Sequence, residues 1–279
     1  MKLAGDGPAP RGARSLLLTM LGEFVHPAGG SVWTSTVVEG LATTGITERN
    51  ARQAIARLGG QDIAVAERHG RRTRWHLTDH GTRLLATGTE RIYSFGHRAD
   101  TWDESWLLVI CSIPETQRAV RHRFRTQLTF EGFGFLSPGI AVSPHADREK
   151  AAADILDELG LAESALMFRS ASGTHTSDES VLRTAWDLES LAADYTEFIE
   201  RFDGEDLDAT DGRAAFGTTL QLVDDWRRFP FIDPELPSTL LPDQWVGRRA
   251  QHVFADRRKR RHDAAVDWFE TLESRAEPS

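Results

Sequence analysis

Cysteine is almost absent from this chain of 279 residues, in which Cys111 is the single example. An internal disulfide is therefore impossible, and a zinc site made from a cluster of cysteines is excluded. No apolar stretch reaches the roughly 18 residues that a membrane-spanning helix needs. The first fifteen residues lack the apolar core of a signal peptide, so we expect a cytoplasmic protein with no membrane contact.

The motifs of several enzyme classes are missing as well. The chain contains no G-x-G-x-x-G, P-loop or H-E-x-x-H pattern, which argues against a dinucleotide site, a P-loop nucleotide site and a helical zinc-protease site. A Ser-His-Asp triad has no fixed spacing, so the sequence neither indicates nor excludes one. We expect no cofactor, no metal site and no catalytic residue.

Charge is distributed unevenly along the chain. The whole sequence has a net charge of −9, yet residues 1–98 contain 13 Lys and Arg against 8 Asp and Glu, a net charge of +5. The remaining 181 residues therefore carry −14. A basic domain joined to an acidic one can engage a phosphate backbone while the acidic part stays away from it.

Within the basic third, residues 34–58 have the pattern of a helix-turn-helix. TSTVVEGLATTG predicts a short helix with Thr34 or Ser35 as its N-cap and Gly45 as its stop. Thr47 then caps a second helix with a buried stripe of small and apolar residues. That stripe consists of Ala51, Ala54, Ile55 and Leu58, and the outward positions are Arg49, Asn50, Arg52, Gln53 and Arg57.

An arginine-rich hairpin follows the second helix directly. Residues 63–68 and 73–77 alternate as two strands around the turn His69-Gly70-Arg71-Arg72. A hairpin in this position is the wing of a winged helix, and arginine at its tip suits the minor groove or the adjacent phosphates. A merely solvated hairpin is the alternative for this element alone, but the order of elements in a basic third favours DNA binding.

This pattern predicts specific roles for the outward side chains. Arg49, Asn50, Arg52 and Gln53 are expected to read base edges in the major groove, because arginine and amide groups make bidentate contacts to guanine and adenine. Phosphate or minor-groove contacts are expected from Arg57, Arg71, Arg72 and Arg74.

Beyond the hairpin, the predicted elements fall into two further regions. Residues 99–175 follow the order β-α-β-β-α-β of a ferredoxin-like unit, which packs two helices on one face of an antiparallel sheet. Residues 180–279 are helical. The sequence thus predicts an α+β protein with a disordered lead-in over 1–12, a winged helix over 13–98, a ferredoxin-like central domain over 99–175 and a helical C-terminal domain over 180–279.

Three side-chain clusters outside the winged helix allow more than one interpretation. The basic run 257–262 is a solvated surface, a DNA contact or a site for coenzyme A phosphates, with the solvated surface favoured. The cations of residues 118–125 form a solvated helix face in preference to an anionic pocket. Six aromatic residues either line an aryl pocket or belong to the core: Trp186, Trp226, Phe229, Phe231, Trp245 and Trp268.

Several segments in one order resemble the PaaX-like family of bacterial phenylacetic-acid repressors. They are RSLLLTMLGEFVHPAGGSVWTSTVVEGL, ERNARQAIARL, AERHGRRTRWHLTDHG, WLLVICSIPETQRAVRHRFRTQL, GFGFLSPGIAVSPH and LPDQWVG. The resemblance implies an N-terminal winged helix, a central domain similar to the CRISPR-associated Cas2 fold and a helical C-terminal domain. It also implies a dimeric regulator of an aromatic-catabolic operon, with phenylacetyl-CoA as the small-molecule effector.

Likeness to Cas2 raises an enzymatic alternative, a nucleic-acid-processing protein. Nucleases of the Cas2 type carry an aspartate at the end of the first strand to hold a divalent metal, which needs hard oxygen ligands. Here that strand ends in Cys111-Ser112-Ile113-Pro114, so we expect a regulator and not an enzyme.

One winged helix reads only a few base pairs, and a two-fold pair doubles the contacts. We therefore expect a homodimer, held by the domains after residue 99, on double-stranded DNA with an inverted-repeat operator.

Overall fold

Apolar residues of the N-terminal third share one core with helices from the far end of the sequence. The structure is a computed structural model that describes residues 12–98, 100–204 and 211–277. It divides into an N-terminal unit, made of Met1–Ser94, Phe198–Arg227 and Gln251–Ser279, and a central unit, made of Phe95–Glu197 and Arg228–Ala250. The predicted lead-in over 1–12 lies outside the described residues, apart from Gly12.

The N-terminal unit begins as a winged helix, as predicted. Its elements are α1 (Ala13–Met20, continued by a π-helical turn, Leu21–Val25), β1 (Ser31–Trp33), α2 (Thr34–Ala42), α3 (Glu48–Gly60), β2 (Ala64–His69), β3 (Arg72–Leu77) and α4 (Asp79–Ser94). The three strands form an antiparallel sheet in the order β1-β3-β2.

The start of α2 differs from the prediction that Thr34 or Ser35 caps it. Trp33 is the N-cap residue and makes no side-chain cap. The Thr34 hydroxyl instead donates to the Thr73 carbonyl at 3.1 Å and accepts from the Trp75 indole N–H at 3.0 Å. A long-range bond to the wing has replaced the local cap.

Two helices from the C-terminal region complete the core of this unit. They are α9 (Gly212–Trp226) and the later part of α11 (Val246–Ala276). Phe216 of α9 lies 4.5 Å, and Phe269 of α11 5.7 Å, from the Phe24 ring, centroid to centroid. Because a Cβ at Gly40 would come within 3.2 Å of the Phe216 ring, the first helix of the helix-turn-helix packs closely on α9.

The central unit contains the predicted ferredoxin-like arrangement. Its elements are β4 (Trp106–Cys111), α5 (Arg118–Phe130), β5 (Gly134–Ser137), β6 (Ile140–Ser143), α6 (Glu149–Glu158), β7 (Ala165–Ser170), α7 (Asp178–Ala185), α8 (Leu188–Phe202, which continues beyond this unit) and α10 (Phe229–Ile232). The strands form an antiparallel sheet in the order β5-β6-β4-β7. Alternate residues of β4, Leu107, Val109 and Cys111, face a core formed with α5 and α6.

The second face of this sheet is covered only in part. Near β5 and β6, Trp106 and Val142 are buried together with Val181, Leu182 and residues 236–241. Toward β7 the cover ends. Ile110, Leu166 and Phe168 are there among the exposed large apolar side chains.

The α+β class with an N-terminal winged helix and a central ferredoxin-like domain is confirmed. The helices of the region predicted as one domain over 180–279 are divided between the two units, with α9 in the N-terminal unit and α7 and α10 in the central one. The exact domain boundaries stay a prediction. Within the described ranges, no helix is long and apolar enough to cross a membrane.

Candidate nucleic-acid interface

Helix α3 presents one polar face to solvent. Its stripe of Ala51, Ala54, Ile55 and Leu58 is buried in the core. The five outward residues predicted to meet DNA, Arg49, Asn50, Arg52, Gln53 and Arg57, are all exposed. The Thr47 hydroxyl accepts from the Asn50 N–H at 3.4 Å and caps the helix as predicted. Arg52 pairs with Glu48 at 2.8 Å one turn earlier, which orients its guanidinium along the helix.

A tryptophan fixes the wing against the helix-turn-helix. The Trp75 side chain on β3 donates to Thr34 at the start of α2. Its ring also lies so close to the end of α3 that a Cβ at Gly59 would be 2.8 Å away. The wing and the candidate recognition helix are thereby held in one arrangement.

The four wing arginines occupy two different environments. Arg68 and Arg71 are exposed near the tip, where Gly70 makes the turn at a φ of +63°. Arg72 and Arg74 lie against the end of α11. Arg72 Nη1 donates to the carbonyls of Ala276 at 2.8 Å and Glu277 at 2.7 Å.

The basic run 257–262 is mostly structural, which neither the solvated-surface interpretation nor the ligand-contact interpretations anticipated. Arg257 and Arg261 are buried, and Arg261 donates to the Arg257 carbonyl at 2.8 Å. Arg258 lies 3.2 Å from the buried carboxylate of Glu23, in the π-helical turn. Lys259 is exposed.

Glu23, Tyr93 and Arg258 form a buried polar network. The Tyr93 hydroxyl donates to Glu23, and the Arg258 guanidinium lies 4.5 Å from the centroid of the Tyr93 ring. Burial, with the Glu23 charge second, raises the pKa of Tyr93, so this hydroxyl keeps its proton. Because a buried carboxylate is costly without partners, both partners are needed here.

The cations of α5 also have structural partners. Arg121 donates to the Ile113 carbonyl at 3.1 Å, Arg123 pairs with Glu158, and Arg125 lies 4.6 Å from the centroid of the Phe135 ring. They extend over the helix face and lie against its neighbours, in keeping with the favoured surface interpretation.

The six C-terminal aromatic residues are divided between the two units, with Trp226 and Trp268 in the N-terminal unit. Trp226 and Phe229 are fully buried in the core, whereas Phe231 is 46% exposed. Within the central unit, Phe229 stacks on Tyr195 at 4.1 Å. The core interpretation therefore holds for Trp226 and Phe229, while Trp186 and Trp268 are partly buried against core clusters.

The end of β4, where Cas2-type nucleases hold a metal, carries the buried Cys111, whose sulfur lies 3.8 Å from the Ser164 hydroxyl. Among the described residues, no group of three or more His, Cys, Asp and Glu side chains could hold a metal ion. The expectation that the chain is not an enzyme stays a prediction.

Comparison with known proteins agrees with this geometry. Three family profiles match the chain: PaaX-like protein over residues 12–81, PaaX protein central Cas2-like domain over 99–182, and PaaX-like protein C-terminal domain over 186–271. The transcriptional repressor PaaX of Escherichia coli K12 is 28% identical over 253 residues, which cover 88% of this chain and 78% of that protein.

A solved structure shares the fold. The uncharacterized protein Rv0674 from Mycobacterium tuberculosis matches 90% of this chain and 98% of its own, with a TM-score of 0.60 and 24% identity. The winged helix and the ferredoxin-like sheet thus define a class, winged-helix proteins with a Cas2-like domain. Within that class, the chain belongs to the PaaX-like family.

The structural role of the basic run is testable by mutation. Arg258→Ala leaves the Glu23 carboxylate buried with one partner fewer, so we expect the free energy of unfolding to fall by about 3 kcal/mol. Lys259→Ala, on the exposed neighbour, should change it by less than about 0.5 kcal/mol. Denaturant titration measures both. Equal stability of the two variants would contradict the network.

Proposed function

We propose that this protein is a transcriptional repressor that binds double-stranded DNA through α3 and its wing. One observation carries the proposal: an exposed arginine and amide face on the second helix of a helix-turn-helix is followed directly by a hairpin with exposed arginines. Membership of the PaaX-like family and similarity to a named transcriptional repressor support it.

The side chains of α3 and the wing have distinct proposed roles. Arg49, Asn50, Arg52 and Gln53 are exposed on the first turns of α3, the part of a recognition helix that reaches base edges. Arg57, one turn later, and Arg71, at the wing tip, are proposed to contact phosphate or the minor groove. For Arg72 and Arg74, the sequence predicts similar contacts, although both already have protein partners.

Gln53→Ala is expected to relax sequence preference. A bidentate amide contact discriminates between bases by roughly 1 to 3 kcal/mol, so its loss should raise the affinity ratio of mismatched to matched sites toward one.

Arg57→Gln should instead weaken all duplexes alike and reduce the salt slope by about 1. Gln117→Ala, on an exposed residue of the central unit, is the matched control. Fluorescence anisotropy over a series of single-base operator variants measures the effects. Unchanged preference in both Arg49→Ala and Gln53→Ala would show that α3 does not read the bases.

We also propose a homodimer, formed through the uncovered part of the central sheet. On that face Leu166 pairs in register with Ile110, and Phe168 with Leu108. Leu166 is 58% and Phe168 51% exposed. These side chains lie side by side on an edge strand and the strand next to it, and a contiguous apolar patch of this kind marks an interaction surface. A second copy would cover it by a two-fold, self-complementary contact.

Phe168→Glu tests the dimer. A charge in the centre of an apolar interface is desolvated without a partner, so we expect the variant to be monomeric at micromolar concentration. Its affinity for a two-half-site operator should fall to that for one half-site. Phe130→Glu introduces the same change at an exposed residue on α5 and should leave the dimer intact. Light scattering reports the mass. A monomeric wild type that binds one half-site as tightly as the full operator would refute the proposal.

An aromatic effector is proposed to release the DNA, most simply an aryl-CoA such as phenylacetyl-CoA. The central unit contains a cavity of about 590 Å³ whose lining includes Arg98, Trp102, His145 and Asp147, within the size range of small-molecule sites. Arg98 is paired with Asp147, so the phosphates of coenzyme A would need cations from outside this lining. Trp102 is the lining side chain proposed to stack on the aryl group.

Titration of the protein with phenylacetyl-CoA, phenylacetate and CoA, each with and without operator, separates these possibilities. A 100-fold weakening of DNA binding requires a coupling of about 2.7 kcal/mol, and by reciprocity the operator must weaken the effector equally. We expect phenylacetyl-CoA to produce this coupling and CoA alone to produce none. If phenylacetate alone produces it, the effector is the free acid; if no compound does, the effector assignment fails while DNA binding stands.

A further inference from the structure

The end of α11 makes a set of contacts to the wing that DNA binding does not require. Besides the two carbonyls that accept from Arg72, Glu273 accepts from the backbone N–H of Trp33 at 3.1 Å. Arg74 lies between Glu273, at 4.0 Å, and Glu277, at 3.7 Å. We refer to Glu273, the two carbonyls and Glu277 as the α11 clasp.

The clasp is chemically matched to what it holds. The last carbonyls of a helix have no partner within it and form the negative end of its dipole, so a guanidinium caps them favourably. Arg72 supplies that guanidinium. Trp33 is the N-cap residue of α2, and its N–H lies at the positive end of that helix, where a carboxylate is stabilised. Glu273 therefore bridges the start of α2 and the wing.

Arg74 is enclosed by these contacts. Its Nε donates to the Ser31 hydroxyl at 3.1 Å, its guanidinium carbon lies 5.2 Å from the centroid of the Trp33 ring, and its side chain is 28% exposed. Glu273 is 17% exposed. A phosphate oxygen that reached Arg74 would be repelled by the two carboxylates beside it. Arg68 and Arg71, in contrast, are exposed at the tip.

We propose that the α11 clasp positions the wing, and that Glu273 and Arg74 are positioning residues and not DNA contacts. The inference rests on the proposed function, because it assumes that the wing meets DNA. It assigns the wing's phosphate contacts to Arg68 and Arg71 and revises the expectation for Arg74. The competing arrangement is an inhibitory one, in which DNA must displace the helix-end carbonyls from Arg72 and the carboxylates from Arg74.

The two arrangements predict opposite signs for Glu273→Gln. The amide removes a negative charge from the DNA-binding unit, which by electrostatics alone strengthens binding to any duplex. If the clasp positions the wing, the variant should bind the preferred duplex about tenfold more weakly, in the range of coupling seen between contacting residues. Binding to a scrambled duplex should not weaken. Glu270→Gln, on an exposed residue one turn earlier on the same helix, is the control for charge and should bind both duplexes at least as tightly as the wild type does.

The experiment uses the full chain and a duplex that the wild type selects from a randomised pool. Hydrogen exchange provides a readout without DNA, since the Trp33 amide and the wing amides should exchange faster in Glu273→Gln than in Glu270→Gln. Arg74→Gln should weaken the preferred duplex without lowering the salt slope, whereas Arg71→Gln should lower the slope by about 1. The double variant Arg74→Gln/Glu273→Gln should bind no more weakly than the weaker single variant.

The outcomes separate cleanly. Tighter binding of both duplexes by Glu273→Gln, unchanged binding of both, or independent effects of Arg74→Gln and Glu273→Gln would each overturn the positioning role. If Glu273→Gln does not fold, Arg74→Gln, which leaves Glu273 on the Trp33 amide, still decides through its salt slope. If the wild type selects no sequence from the pool, the proposed function itself fails.

Discussion

The apolar core that the winged helix shares with α9 and α11 is the constraint on which the candidate DNA surface depends. The winged helix, Ala13–Ser94, is small and has limited apolar area to bury by itself. Here Phe216 and Phe269, which are more than 190 residues later in the sequence, lie against Phe24 in its centre. The stability of α3 and the wing therefore depends on residues far apart in the chain, and the segment 1–98 alone lacks two of these three rings.

The same core determines where α11 can place charge. Residues four apart lie on one side of a helix, so burial of Phe269 directs Glu273 to the neighbouring wing. The same spacing of one turn explains why Arg261 is buried. It lies on the same side of α11 as Ala265 and Phe269, which are also buried. A buried guanidinium is stable only with its donors satisfied. The helix thus carries both apolar and ionic groups into the unit, and its last turn extends to the candidate interface.

Local patterns in the sequence were sufficient for α3, the wing and the ferredoxin-like order. Each of these signals is a helical or alternating pattern contained in 15 residues or fewer. Examples are the apolar stripe that ends in Leu58 and the hairpin around Gly70. The patterns were insufficient wherever a distant partner decided the outcome. Thr34 reads as a helix cap until Trp75 and Thr73 are brought to it. Five consecutive cations in a helix point in all directions, so only the positions of Glu23 and Asp203 reveal that Arg258 and Arg257 have partners within the fold.

Long-range pairing also changes what the charge count of the N-terminal third means. Its surplus of +5 suggests that every one of these cations is available to DNA. Three of its arginines, Arg52, Arg72 and Arg74, have partners within the N-terminal unit, and the partners of Arg72 and Arg74 come from the far end of the sequence. Folding therefore brings part of the negative surplus into the basic unit. A guanidinium that is already paired with a carboxylate, or bonded to the carbonyls at a helix C-terminus, displaces fewer counterions from DNA when the protein binds. Because affinity that depends less on bulk charge depends more on shape and base contacts, this arrangement favours a protein that discriminates between DNA sequences over one that binds any duplex.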